Sequence, residues 1–234
     1  MPSEINKRDM DQLLYEVAKE YKKMHRNVSV RAEIILVGGA SILANYGFRA
    51  TTTDIDASIQ ADSTLKDAIN LVGDRHDLEK GWLNSDFSKT ESYSPELIIK
   101  SKPYKTFYGC LDVRTIADEY LIAMKMRAAR IYKHDLSDIV GIVMEMKEQN
   151  KELDTGKIGE AYRTLYNAKP DSEIIEYVSQ VLLCEQIEDL YYETQAQEKN
   201  NREALFAAEK EYPGEINANN VNSFIRHFSS VRED

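Results

Sequence analysis

A short run, Glu33-Ile34-Ile35-Leu36-Val37, stops at two adjacent glycines, Gly38 and Gly39. Four successive apolar side chains closed by a tight turn are too few for a helix and read as a buried strand. Ala40 to Tyr46 then reads as a short helix ended by Gly47. The β-branched, alternating segment Thr51 to Ile59 reads as a second strand. Upstream, Leu13, Leu14, Val17, Ala18 and Tyr21 recur at helical spacing and predict a helix over Ile5 to Met24.

Further along, Ser63 to Asp77 reads as a helix capped by Ser63. Glu96 to Lys100 and Lys105 to Val113 read as strands, separated by a turn over Ser101 to Tyr104 that contains Pro103. From Thr115 onward strand signals vanish. Helices are expected over Thr115 to Tyr132, Leu136 to Gln149, Asp154 to Asn167, Ser172 to Lys199 and Asn219 to Ser229. Strands followed by helices predict an α+β fold: residues 1–114 an α+β half with an N-terminal helix, residues 115–234 an all-helical region.

Charge narrows the function. The net charge of −10 argues against a protein that coats nucleic acid non-specifically. Between Ile98 and His134, however, eight Lys or Arg face three acids, so this window is +5 and the remainder −15. A basic strip in an acidic chain suits a local anionic ligand such as a triphosphate or an RNA backbone, and equally the solvated face of a helix and hairpin. The charged first twenty residues carry no apolar segment of signal-peptide type, and no run is long enough to span a bilayer. Cys110 and Cys184 are far apart, without metal-ligand spacing. A cytoplasmic protein with reduced thiols and no membrane partner is expected.

Asp54 and Asp56 are separated by one residue on the second expected strand. Alternation turns both carboxylates to one face and Ile55 to the other. Two carboxylates so close repel unless a cation lies between them. Mg2+ accepts one or two carboxylates plus substrate phosphates. An isolated Asp-x-Asp is more often a pair of acids on an open edge strand, but the preceding turn changes that weight. Gly38 and Gly39 permit close backbone approach, and the helix they open offers unpaired amides and a partial positive charge to phosphate, with Ser41 adding a hydroxyl. Neither a Gly-x-x-x-x-Gly-Lys-[Ser/Thr] loop nor a Gly-x-Gly-x-x-Gly fingerprint is present.

Val37-Gly38-Gly39-Ala40-Ser41, followed after twelve residues by Asp54-Ile55-Asp56, resembles the polymerase-beta-like nucleotidyltransferase superfamily. It is similar to the bacterial branch that includes the AbiEii-type toxins of toxin–antitoxin systems. Leu121-Ile-Ala-Met-Lys125-Met-Arg-Ala-Ala-Arg130 and Asp135-Leu-Ser-Asp138 resemble that branch's second block. One difference is Ala40, which separates Gly39 from Ser41 where many members have Gly-Ser adjacent. The resemblance covers about Ile34 to Val140.

The resemblance implies a small mixed sheet flanked by helices. It also implies attack of an acceptor hydroxyl, on RNA such as tRNA or on protein, at the α-phosphate of a nucleoside triphosphate, with Mg2+ or Mn2+ as cofactor. Asp54 and Asp56 become metal ligands and catalytic carboxylates. Asp112, near the end of the last expected strand, is the candidate third carboxylate; a strand-end acid paired with Arg114 or solvent is the other reading. Gly38, Gly39, Ser41, Lys125 and Arg130 become the triphosphate contacts, although Lys125 on an apolar stripe also fits a snorkelling lysine and Arg130 an exposed arginine. Asp135 and Asp138 fit helix capping. The lone Trp82 fits core packing or base stacking. Two other functions remain open: a non-catalytic nucleotide-binding regulator of the same fold, and a partner-binding role for residues 115–234, whose acidic helices around Glu173 to Glu211 suit an antitoxin.

Overall fold

The computed structural model describes residues 4–26, 29–217 and 220–232. The chain forms two compact units: residues 1–124 with 160–169, and residues 125–159 with 170–234.

The first unit is built on a five-stranded mixed sheet. Strand β1 (Ile5–Asn6) leads into α1 (Lys7–Met24), where Asn6 caps the helix by accepting from the Asp9 amide. Then follow β2 (Ala32–Leu36), α2 (Gly38–Asn45), β3 (Thr51–Thr52), β4 (Ile55–Gln60) and α3 (Ser63–Arg75). After β5 (Leu83–Asn84) come α4 (Glu96–Ile99), β6 (Ser101–Phe107), β7 (Leu111–Ile116) and α5 (Asp118–Ala128), which passes into the second unit at Lys125. The sheet order is β5-β4-β2-β7-β6, with β2 parallel to β7 and antiparallel to β4. β1 and β3 pair separately. Ala32, Ile34 and Leu36 of β2, Ile55 and Ala57 of β4, and Leu111 and Val113 of β7 join one core with the buried faces of α1 and α3. Alternation turns Ile35 and Val37 to the opposite face, and both are buried too.

Several expectations change. The strand expected over Thr51 to Ile59 is broken at Thr53 and Asp54, where the Thr52 hydroxyl donates to the Asp54 carbonyl and holds a bend instead of a ladder. Asp62, not Ser63, caps α3 by accepting from the Thr64 amide. Glu96–Ile99 is a short helix rather than a strand, started by Ser94 accepting from the Glu96 amide. Pro103 lies inside β6 rather than in a turn. β6 is an edge strand and its register shifts between Pro103 and Lys105, which accommodates the missing N–H. The hairpin turns at Tyr108 and Gly109, both at positive φ. Thr115 and Ile116 extend β7 rather than opening a helix.

The second unit is helical. It holds α6 (Asp135–Glu148), α8 (Ser172–Leu183), α9 (Ile187–Glu211) and α10 (Val221–Arg232), while α7 (Thr155–Tyr166) runs from this unit into the first. The single helix expected over Ser172 to Lys199 breaks at extended Cys184, whose carbonyl accepts from Lys147 Nζ. The start expected for the last helix, Asn219, lies outside the described residues. Among the described residues no helix is long and apolar enough to cross a membrane.

Candidate functional site

The parallel pairing of β2 with β7 carries both strands toward one end of the sheet, where β2 gives way to α2. Gly38 makes that transition at φ +54, a left-handed conformation that side chains rarely adopt. The N-cap residue Val37 gives no side-chain bond to the first turn of α2, which leaves its amides to other acceptors. Val37 itself donates to the Asp56 carbonyl at 2.9 Å, so β4 brings Asp56 alongside the turn. A Cβ on Gly38 would stand 3.9 Å from Asp56 Oδ2. Ile55 is fully buried in the core, and Asp56 is therefore turned to the opposite face of the sheet, where it is half-buried. Asp54, in the bend just before β4, is exposed. The glycine turn and Asp56 are thus brought together, with Asp54 two residues before it along the chain.

Arg49 completes this corner and was not among the residues the sequence singled out. Its Nε donates to the Thr51 carbonyl at 3.1 Å. Its guanidinium lies against Gly39, so that a Cβ there would be 2.9 Å from Nη2 and 3.0 Å from Thr52 Oγ1. One signal was present: Arg49 is the only Lys or Arg between Arg31 and Lys66.

Ser41 serves the scaffold. It is fully buried, and its Oγ accepts from the Ile116 amide at 3.0 Å, fastening α2 to the end of β7. Asp112 stands apart from the pair. It faces Glu33 across the sheet, whereas Asp56 lies beside Val37, four residues or about 13 Å further along β2. There Asp112 accepts from Arg31 Nη1 at 3.1 Å and from Thr106 Oγ1 at 2.6 Å. Among the described residues, no group of three His, Cys, Asp or Glu side chains is gathered as metal ligands.

Lys125 and Arg130 belong to the second unit, and both meet Asp135. Lys125 Nζ lies 2.9 Å from Asp135 Oδ1 and 2.7 Å from Asp138 Oδ2, and all three residues are buried. Arg130 grips Asp135 in a fork, with Nε at 2.7 Å and Nη2 at 3.1 Å. Burial alone would raise the Asp135 pKa, but Lys125 and Arg130 overcome it and hold the carboxyl well below the usual range. Beside this cluster, buried Glu198 of α9 accepts from the Leu136 and Ser137 amides and caps α6 from another helix. Burial outweighs those bonds and, with Asp138 nearby, pushes Glu198 up to about 7. Trp82 packs in the core, with Nε1 donating to the Ile69 carbonyl.

The turn and the acids can together present backbone amides, a guanidinium and two carboxylates to a phosphorylated ligand that carries its own cation. Comparison with protein families finds a match over residues 12–176, more than two thirds of the chain, to the family described as Nucleotidyltransferase of unknown function (DUF6036). No curated protein and no solved structure matches.

Proposed function

The chain belongs to this family of nucleotidyltransferases, and from that premise we propose that it transfers a nucleoside monophosphate from a nucleoside triphosphate to a hydroxyl of RNA or protein. The observation that carries the proposal is the approach of the Asp56 carboxylate to the Gly38 turn, with Asp54 two residues away and Arg49 against Gly39. In this reaction the acceptor oxygen bonds to the α-phosphorus while the bond to the bridging oxygen breaks. Pyrophosphate leaves with that electron pair, and the hydroxyl proton is lost to water at the exposed edge where Asp54 lies.

Each residue then has a role. The free amides of the first turn of α2 and its dipole hold the triphosphate, and glycine at 38 and 39 lets it come close. Arg49 neutralises phosphate charge beside the same turn. Asp54 and Asp56 would hold Mg2+ or Mn2+, with substrate phosphates as the remaining ligands; that ion, when bound, supplies charge neutralisation and a more acidic acceptor hydroxyl. Two carboxylates on a phosphate-ready turn fit this oxygen chemistry. Ser41 keeps α2 in place through Ile116, and Lys125 and Arg130 act through the Asp135 cluster. The similarity of the Leu121–Arg130 block to AbiEii-type proteins supports a place for the chain as the toxin of a toxin–antitoxin pair.

The test is incubation with each α-labelled triphosphate, Mg2+ or Mn2+, and total RNA and protein. Label should move to an acceptor and should be lost with Asp54→Ala and with Asp56→Ala. Among the described residues no third carboxylate is gathered with the pair, which favours a second reading, a nucleotide-binding regulator. Tight triphosphate binding without transfer to any acceptor would establish it in place of the enzyme.

A further inference from the structure

A second surface of the first unit lies away from the glycine turn. Tyr15, Lys19 and Lys22 follow one another at intervals of four and three residues along α1 and so form one stripe, and Arg26 follows just past the end of the helix. The tip of the β6–β7 hairpin meets this stripe. Tyr108 packs edge-on against Tyr15 with ring centroids 5.6 Å apart, and Lys22 Nζ lies 5.4 Å from the centre of the Tyr108 ring. Both rings remain open, Tyr15 at 42% and Tyr108 at 39% exposure.

The charges here are unusual for so acidic a chain. The neighbouring acids are engaged elsewhere: Asp11 with Lys105, Glu16 with His76 and Arg75, Glu20 with Lys23 and Arg75, and Asp112 with Arg31. Among the described residues, Lys19, Lys22 and Arg26 have no carboxylate partner. Tyr108 is equally out of pattern. It occupies the hairpin turn at φ +48, where Gly or Asn would be relaxed, so the chain accepts strain to present an aromatic ring at that point.

We propose that this stripe, Tyr15 and Tyr108 with Lys19, Lys22 and Arg26, is a binding surface for single-stranded RNA. Open aromatic rings take bases by stacking without regard to sequence, and interleaved cations take the phosphates. An acidic peptide would use the cations but gives no reason for strained, exposed rings. The surface lies beyond the end of the sheet where Asp112 sits, opposite the end where Asp56 meets the turn. It therefore anchors RNA remotely from the reacting hydroxyl. The inference deepens the nucleotidyl-transfer reading by naming RNA as the acceptor class, and as an acceptor site it rests on that reading.

The test is fluorescence anisotropy of a short labelled oligouridine with the full chain at several salt concentrations. Wild type should bind, with affinity falling steeply as salt rises. Lys19→Glu combined with Lys22→Glu, and separately Tyr108→Gly, should each weaken binding about tenfold or more. Tyr108→Gly should leave the melting temperature unchanged or higher, because it relieves the turn; a clamp that only fastens the hairpin would melt earlier. Asp54→Ala should bind like wild type. The proposal is overturned if wild type does not bind oligouridine, if the variants bind it equally well, or if polyglutamate binds as tightly through the same residues. Oligouridine binding without nucleotidyl transfer by wild type would remove the enzymatic reading and leave the RNA surface standing. Transfer by wild type that the stripe variants retain in full, with no oligouridine binding, would do the reverse.

Discussion

At the scale of single residues, the two glycines of the turn should fail in different ways. Gly38→Ala places a side chain at φ +54, which costs about 1 kcal/mol and should lower the melting temperature by a few degrees. Its methyl group would also stand beside Asp56, so triphosphate affinity should fall. Gly39→Ala meets the guanidinium of Arg49 and the buried Thr52 hydroxyl, so KM for the triphosphate should rise, and Arg49→Ala should reproduce that rise. Thermal melts and KM measured on the same preparations separate the two effects. Far from the turn, a Cβ on Gly73 would lie 2.6 Å from Trp82 Nε1. Gly73→Ala should therefore cost about 1–3 kcal/mol in urea unfolding, with the indole displaced from the Ile69 carbonyl. That result would mark the lone tryptophan as a core residue.

At the scale of elements, the start of α6 is a buried charge cluster with two measurable consequences. Lys125→Met removes the ammonium shared by Asp135 and Asp138 and should destabilise the second unit by about 3–5 kcal/mol, whatever its effect on turnover. Glu198, pushed up to about 7 from an ordinary 4.5, binds its proton more tightly folded than unfolded. Its contribution is therefore fully present below about pH 4.5 and is lost as pH rises through 7. Stability should increase by about 3 kcal/mol between pH 8 and pH 5, and Glu198→Gln should flatten that change in chemical denaturation. The strand, the glycine turn and helix α2 were legible from Ile34 to Ala44 because an apolar run and two glycines leave little choice. The bend at Thr53–Asp54 was not, since one threonine hydroxyl sets it. Asp112 was read as a strand-end acid because Lys105 to Val113 looked like one strand. In fact Tyr108 and Gly109 turn inside that stretch, so Asp112 begins the next strand and lies at the far end of the sheet. Lys125 was legible as a lysine on an apolar stripe, but its partners ten and thirteen residues on are a matter of tertiary structure.

At the scale of the molecule, the first unit contains residues 160–169 as well as 1–124, so α7 returns the chain to where it started. Within that segment Ala161, Tyr162 and Leu165 are buried, and the Tyr166 hydroxyl donates to the Ser92 carbonyl at 2.8 Å. A fragment ending at residue 124 should consequently melt below the first transition of the full chain, and Tyr166→Phe in the full chain should cost about 1 kcal/mol. Calorimetry of the three proteins side by side checks both. The same returning segment sets an order of events during synthesis. A ribosome delivers the chain from the amino end, yet the first unit, which carries Asp54 and Asp56, waits for residue 169 before its last contacts can form. By then residues 125–159 of the second unit have already emerged, so the first unit that carries the carboxylate pair is completed only after about a third of the second has been made.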